Sequence, residues 1–168
     1  MSNSPRLRIL FVCTGNTCRS AMAQVIAQRG VKDRGWNRIE IRSAGVSAHP
    51  GTLASEEARS AAEKAGLSLE EHRGSFLGDE LVTWADLILT MGAHHLEVVE
   101  GLGGKGKASM LTAFARKSEE GREREVQDPF GGDAHTYIES FHTIADLVET
   151  SLERVGHEWD NRKEGAGP

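Results

Sequence analysis

Short apolar runs separated by longer polar stretches mark the chain from its beginning to about residue 155. The first run contains β-branched and aromatic side chains, which is typical of a buried strand. The runs predict strands over Leu7 to Val12, Ile39 to Ala44, Asp86 to Met91 and Met110 to Thr112.

Between these runs the pattern becomes helical. A helix is expected from Ser20 to Gly30, and an alanine- and glutamate-rich helix from Leu53 to Ala65 that ends at Gly66. Two more helices are predicted downstream, a short one over Ala93 to Glu100 and a long one that starts at the capping-box pair Thr136 and Glu139. The long helix has an apolar stripe at Ile138, Phe141, Ala145, Val148, Leu152 and Val155.

The alternation of strands and helices places the chain in the α/β class. We expect a three-layer sandwich, in which helices flank a central four-stranded, mostly parallel sheet. A length of 168 residues fits a single domain over 1–168. Its ordered core should cover about residues 7–155, followed by a polar, frayed tail over 156–168.

Composition narrows the classes of function. The net charge of −5 does not suggest nucleic acid as the main partner, so none is expected. The apolar run Ile9 to Cys13 is too short for a signal peptide or a membrane span, which predicts a cytoplasmic protein with no membrane partner. Two cysteines are too few for a disulfide-stapled secreted fold or a structural zinc site. Reactive cysteine chemistry is the remaining reason to examine them.

Both cysteines lie in the polar turn Cys13-Thr14-Gly15-Asn16-Thr17-Cys18-Arg19-Ser20, between the first strand and the first helix. A loop of this length can curl around a tetrahedral oxyanion, because its N–H groups and the start of the next helix converge on the anion. The same positive field favours a thiolate at Cys13, and Arg19 adds a planar fork that fits two phosphoryl oxygens. A buried, unreactive cysteine is the weaker interpretation. Residues 13–19 are called the phosphate loop below.

The segment from Val12 to Ser20, which contains the phosphate loop, resembles the signature loop of the low-molecular-weight protein tyrosine phosphatase family. That family also has an Asp-Pro-aromatic triplet far downstream, and Asp128-Pro129-Phe130 matches it. The resemblance implies a hydrolase without metal or cofactor, in which Cys13 attacks phosphorus, Arg19 holds the phosphoryl oxygens and Asp128 is the general acid. The reaction would pass through a phosphocysteine, the partner would be a phosphorylated protein, and we expect a monomer.

The resemblance also assigns supporting residues. Those implied to bind substrate are Thr14, Gly15, Asn16, Thr17, Cys18, Ser20 and Phe130. Ser43 and His72 should hold the phosphate loop in shape by hydrogen bonds. Ala21 departs from the family, in which many members have proline at the helix start, but proline there is not chemically required. Cys18 is open to two roles, a protective disulfide with Cys13 or packing within the loop.

The choice of substrate depends on Thr17. Tyrosine-directed members usually carry a bulky aliphatic residue there, whereas Thr17 together with Asp-Pro-Phe-Gly-Gly resembles the bacterial protein arginine phosphatases. A hydroxyl suits a planar guanidinium, so the predicted substrate is protein phosphoarginine, with phosphotyrosine as the alternative. An arsenate reductase would need further cysteines, and a non-enzymatic phosphate-binding or phosphocarrier module would not need Asp128.

Two other motifs are assigned no chemistry. Gly101 to Lys107 has the spacing of a nucleotide-binding loop, but Ala108 replaces the required Ser or Thr, so we expect a flexible surface loop. The adjacent His94 and His95 cannot share one helix face, and no metal site is predicted from them. Trp159 is assigned to the tail.

Overall fold

The computed structural model describes residues 6–116 and 124–165, with side chains described up to residue 159. Four strands form one sheet in the order β2-β1-β3-β4, and every neighbouring pair is parallel. The strands are β1 (Leu7–Cys13), β2 (Ile39–Gly45), β3 (Leu87–Thr90) and β4 (Ala108–Met110). The predicted α/β class with a four-stranded parallel sheet is confirmed.

Six helices surround the sheet. They are α1 (Arg19–Asp33), α2 (Glu56–Lys64), α3 (Asp79–Trp84), α4 (Ala93–Val99), α5 (Leu111–Arg116) and α6 (Ala134–Gly165) within the described residues. Buried side chains of α1, α2, α5 and α6 share one core with one face of the sheet, and those of α3 and α4 share a second core with the other. These are the three layers expected from the sequence. No helix in the described ranges is long and apolar enough to cross a membrane.

The central position of β1 in the sheet explains why its residues from Ile9 to Cys13 are all apolar. Its alternate residues Ile9, Phe11 and Cys13 belong to the core under α1 and α6, whereas Leu10 and Val12 belong to the core under α3 and α4. A parallel strand covered on both faces needs apolar side chains in both directions.

Strand and helix boundaries differ from the predictions where side chains have tertiary partners. The fourth strand ends at Met110 rather than spanning Met110 to Thr112, because Leu111 begins α5 and is buried in the core. Helix α2 begins at Glu56 rather than Leu53, since the Ser55 hydroxyl caps it by accepting from the Ala58 N–H at 3.2 Å.

The start of α6 is also corrected. Asp133 caps this helix, because its Oδ1 accepts from both N–H and Oγ1 of Thr136 at 2.9 Å. The predicted capping box at Thr136 and Glu139 is therefore wrong by one helical turn. Glu139 instead pairs with His135 one turn earlier, with 2.9 Å between its Oε1 and the His135 Nε2.

The fraying predicted from residue 156 is not seen in the part of the tail that the structure describes. Helix α6 continues through this point, and Trp159 is buried with its ring edge-on to Trp36 at a centroid distance of 6.4 Å. Gly156 permits this approach, since a Cβ there would lie 2.9 Å from the Trp36 ring. The ordered core thus extends to at least Trp159, and residues 166–168 lie outside the described range.

Two glycine-containing segments also differ from expectation. Helix α1 passes through Gly30, where a Cβ would lie 2.5 Å from Leu152, so this glycine allows close packing of α1 on α6 and does not end the helix. The predicted flexible loop over Gly101 to Lys107 is partly folded. Its first half belongs to a π-helical turn, Glu100–Gly104, and Lys107 Nζ donates to the Ala85 carbonyl at 2.7 Å.

Candidate active site

The phosphate loop lies at the carboxyl end of the sheet. It joins β1 to α1, and the strand order β2-β1-β3-β4 reverses beside β1. Parallel α/β sheets bind ligands at such a reversal, because the loops after the two neighbouring strands separate and leave a crevice. Helix α1 begins at Arg19, directs its N-terminus at the loop and has no acidic residue in its first turn. The fold therefore supplies a positive, concave end to the strand that carries Cys13.

The two cysteines have different surroundings. Cys13 is only 1% exposed, and its Sγ lies 2.8 Å from the hydroxyl of Ser20. The Ser20 hydroxyl can stabilise a thiolate at Cys13 by donating a hydrogen bond to it. Burial, followed by repulsion from Cys13, raises the pKa of Cys18 to about 11, which keeps this second thiol protonated at neutral pH. The geometry thus distinguishes Cys13 as the nucleophile candidate. Both cysteines are free.

Asn16 holds the loop from inside. Its side chain is fully buried, and its Nδ2 donates to Ser20 Oγ at 2.8 Å and to Ser43 Oγ at 2.9 Å. Its Oδ1 accepts from the Ser75 N–H at 2.9 Å. The backbone of Asn16 is left-handed, with φ of 57°, a conformation that asparagine tolerates better than other residues with side chains. All hydrogen-bonding groups of this amide are thus used to fix the curl of the loop.

His72 and Ser43 support Asn16 from behind, as the sequence predicts. The His72 Nε2 lies 2.7 Å from the Asn16 carbonyl. A carbonyl can only accept, so Nε2 carries a proton and donates. Burial lowers the pKa of His72, although the bond to Asn16 opposes this shift, and the ring is neutral at physiological pH. The Ser43 hydroxyl also donates to Gln24 of α1.

Gly45, at the end of β2, lets the loop pack against its backbone. A Cβ at this position would lie 2.4 Å from the Thr14 carbonyl oxygen and 2.8 Å from the Asn16 nitrogen. The next residues bind the loop directly, since Val46 N donates to the Cys13 carbonyl at 3.0 Å and Ser47 N to the Thr14 carbonyl at 2.9 Å. Glycine is therefore required sterically, a role that the sequence analysis did not assign.

Arg19 joins the phosphate loop to the distant segment that carries Asp128. The buried guanidinium donates from Nη1 to the Val126 carbonyl at 3.0 Å, and its Nη2 lies 3.5 Å from Asp128 Oδ2. The Asp128 side chain is 49% exposed and its Oδ1 accepts from the Phe130 N–H at 3.1 Å. A half-exposed carboxyl beside the loop is accessible to a leaving group.

His95, which the sequence analysis set aside, lies in the site. Its Nε2 is 2.9 Å from Thr14 Oγ1, and the ring is buried beside Arg19. Burial, reinforced by the Arg19 and His94 charges, lowers its pKa to about 4, so the imidazole is neutral. The position of His95 along the chain could have indicated that it belongs to the site. His95 follows β3, which pairs with β1, and loops after neighbouring parallel strands meet at one edge.

The remaining predicted residues lie around the mouth of the loop. Phe130 is 83% exposed directly after the Asp128 segment. Thr17 and Gly15 are half-buried within the phosphate loop, and the Thr17 carbonyl accepts from the Ser55 N–H at 2.9 Å. The structure therefore brings every site residue named from the sequence to one end of the sheet. Among the described residues, no group of three histidine, cysteine or acidic side chains is arranged to hold a metal ion.

Cysteine-dependent phosphatases are the class of enzyme to which this fold and site point, and comparison with known proteins identifies the family. The model of low molecular weight phosphotyrosine protein phosphatases matches residues 8–163. The chain therefore belongs to that family.

Its relatives include enzymes of two specificities. A protein-arginine-phosphatase from Geobacillus stearothermophilus is 34% identical over 148 residues, which cover 88% of this chain and 93% of the relative. Low molecular weight protein-tyrosine phosphatase A from Mycobacterium tuberculosis is 32% identical over 169 residues, covering 98% of this chain and 99% of the relative. A solved mutant of the arginine phosphatase YwlE with a phosphorylated active-site serine is 32% identical, with a TM-score of 0.83 over 89% of this chain and 96% of the other.

Proposed function

We propose that this phosphatase hydrolyses phosphoarginine on proteins in two displacement steps. The Cys13 thiolate attacks phosphorus and forms an S–P bond, while the bond from phosphorus to the leaving guanidine nitrogen breaks. Asp128 gives its proton to that nitrogen. Water then attacks the phosphocysteine, Asp128 takes one of its protons, and inorganic phosphate leaves with Cys13 restored as thiolate.

The observation that carries this proposal is the contact between Arg19 and Asp128. A guanidinium 3.5 Å from the carboxyl, on the same loop as the cysteine, supports a role for both groups on one phosphoryl group. Arg19 and the loop N–H groups would stabilise negative charge on the equatorial oxygens. The phosphorylated serine in the YwlE mutant supports a covalent step at the cysteine position.

Three observations favour arginine over tyrosine. Relatives named as arginine phosphatases share 34% identity with this chain. Thr17 is a half-buried residue of the phosphate loop, and its hydroxyl can accept a hydrogen bond from the N–H groups of a guanidinium. Phe130 presents an exposed ring, and a planar guanidinium can stack on such a face.

The test measures phosphate release from a phosphoarginine peptide and from a phosphotyrosine peptide of otherwise identical sequence. We expect kcat/KM to be at least tenfold higher for phosphoarginine, and Cys13→Ser to abolish turnover of both. Thr17→Ile should lower the ratio of the two values by about tenfold, a change of about 1.4 kcal/mol within what one pocket contact can supply. Thr52→Ile, on the exposed loop before α2, is the matched control and should leave the ratio unchanged.

Phosphotyrosine is the second candidate substrate, because the Mycobacterium tuberculosis relative named as a tyrosine phosphatase matches nearly the whole chain. An exposed aromatic ring such as Phe130 could also line a phenyl group. An equal or inverted rate ratio in the wild type would select this alternative, and an unchanged ratio in Thr17→Ile would remove the argument from Thr17.

A further inference from the structure

The hydroxyl of Thr14 has an unusual position at the mouth of the phosphate loop. Thr14 is exposed, yet its Oγ1 is 2.9 Å from Nε2 of the buried His95 and 3.5 Å from Nη2 of Arg19. These groups reach it from two elements on opposite sides of the crevice, α4 and α1. A hydroxyl has one proton to donate and two lone pairs to accept. The direction in which this hydroxyl donates therefore depends on whether His95 and Arg19 donate to it or accept from it.

His95 acts as the donor in its bond to Thr14. The ring is neutral, since burial lowers its pKa to about 4, and only one nitrogen carries a proton. Nδ1 is buried and has no hydrogen-bond partner among the residues that the structure describes. Unpaired N–H groups are rarer in protein interiors than unpaired acceptors, which places the proton on Nε2. The Nε2–H then donates to Thr14.

Arg19 cannot act as an acceptor, because a guanidinium has only N–H donors. With donors from His95 and Arg19 on the Thr14 oxygen, both lone pairs of the hydroxyl are occupied. Its proton must point elsewhere, and Thr14 is exposed at the loop that would hold the phosphoryl group.

We propose that His95 is a positioning residue which, together with Arg19, turns the Thr14 hydroxyl into a hydrogen-bond donor for the bound phosphoryl group. This inference rests on the proposed phosphatase function, since it concerns the same loop. The hydroxyl would add a side-chain donor to the backbone N–H groups of the loop, and a donor that is already oriented needs no reorganisation as charge develops on the phosphoryl oxygens. His95 itself does not touch the substrate.

The test is a double-mutant cycle on His95→Leu and Thr14→Val, measured as kcat/KM for an aryl phosphate and as the dissociation constant for inorganic phosphate from thermal shifts. Thr14→Val should lose about tenfold or more, as expected for a hydrogen bond to a charged group, and His95→Leu, which leaves the hydroxyl in place but unoriented, about three- to tenfold. The double variant should be no worse than Thr14→Val alone, because His95 acts only through the hydroxyl. His95→Gln, whose amide reaches the position of Nε2, should recover to within about twofold of wild type by the same hydrogen-bond reasoning.

The controls separate this role from general damage. His94→Leu changes the exposed neighbour on the same helix and should behave as wild type. Equal losses from His95→Leu in the presence and absence of the Thr14 hydroxyl, or failure of His95→Gln to recover, would overturn the proposal. If His95→Leu does not fold, Thr14→Ser against Thr14→Val decides, since only the hydroxyl-bearing variant should keep phosphate affinity.

The aryl phosphate and the phosphate ion keep two failures distinguishable. A wild type that binds phosphate but turns over neither the aryl ester nor a phosphoarginine peptide contradicts the proposed function, while the phosphate affinities still decide the role of His95. A wild type that is active but shows additive losses in the cycle contradicts only the role of His95.

Discussion

Replacement of Asn16 by alanine tests whether the phosphate loop is held by one buried amide. The substitution removes three hydrogen bonds, two from Nδ2 and one to Oδ1, all between 2.8 and 2.9 Å. Each contributes about 1 kcal/mol net. The left-handed backbone with φ of 57° adds about 1 kcal/mol of strain for alanine, because alanine has no polar side chain that could hydrogen-bond locally in this conformation as asparagine does. We expect the free energy of unfolding to fall by about 3 to 4 kcal/mol on these two grounds.

Equilibrium unfolding in urea, followed by tryptophan fluorescence, measures this loss. Asn16→Gly loses the same hydrogen bonds but tolerates the backbone conformation, so it should be about 1 kcal/mol more stable than Asn16→Ala. Asn37→Ala, at an exposed position, is the matched control and should stay within about 0.5 kcal/mol of wild type. A loss below about 1 kcal/mol in Asn16→Ala would refute the reasoning, because it would mean that the amide bonds contribute almost nothing net.

Two further predictions concern the surroundings of the loop. Gly45→Ala should weaken the binding of inorganic phosphate by about tenfold in a thermal-shift titration, since its Cβ would meet the Thr14 carbonyl at 2.4 Å and force the phosphate loop to move. An unchanged affinity would show that the loop can accommodate the added methyl group. Stability should fall as the pH is lowered from about 6.5 towards 4, because the unfolded chain protonates His95 there while the folded protein, in which the pKa of His95 is about 4, does not. The lowered pKa of His72 acts in the same direction below pH 6.5. The slope is at most about 1.4 kcal/mol per pH unit for each histidine, and urea titrations of His95→Gln should show a shallower dependence.

The chemistry of the phosphate loop could be read from the sequence because it is local. Cysteine, glycine, asparagine and arginine within one turn between a strand and a helix already define an anion cradle, and the structure places them as expected. Asp128 is different. Its proximity to Arg19 is a long-range contact, and only the family resemblance predicted it.

His95 was missed for the same physical reason. The rule applied to it compared neighbours on one helix face, but its partner is Thr14, which belongs to a loop after another strand. Sequence periodicity describes the faces of an element and does not specify which loops meet. The pairing of β1 with β3 carries that information, and it becomes available only when strand order is known.

The boundary errors also follow from tertiary packing. The polar composition after Gly156 suggested a frayed end, yet α6 continues beyond it, and the buried ring of Trp159 packs there against Trp36. At the other end of α6, Asp133 and Thr136 are both good capping residues, and the choice between them depends on where the preceding chain arrives.

The segment before α6 connects Asp128, the proposed general acid, to the phosphate loop by hydrogen bonds. Val126 N donates to the Met91 carbonyl at 2.8 Å, and Glu125 Oε1 accepts from Ala93 N at 2.9 Å, so the segment is bonded to the turn between β3 and α4. The Val126 carbonyl then accepts from Arg19. A displacement of Asp128 would therefore disturb the Arg19 guanidinium and the start of the helix that carries His95. In the mechanism that we propose, phosphoryl binding and proton donation would share these anchors, and a two-step displacement requires such a fixed arrangement.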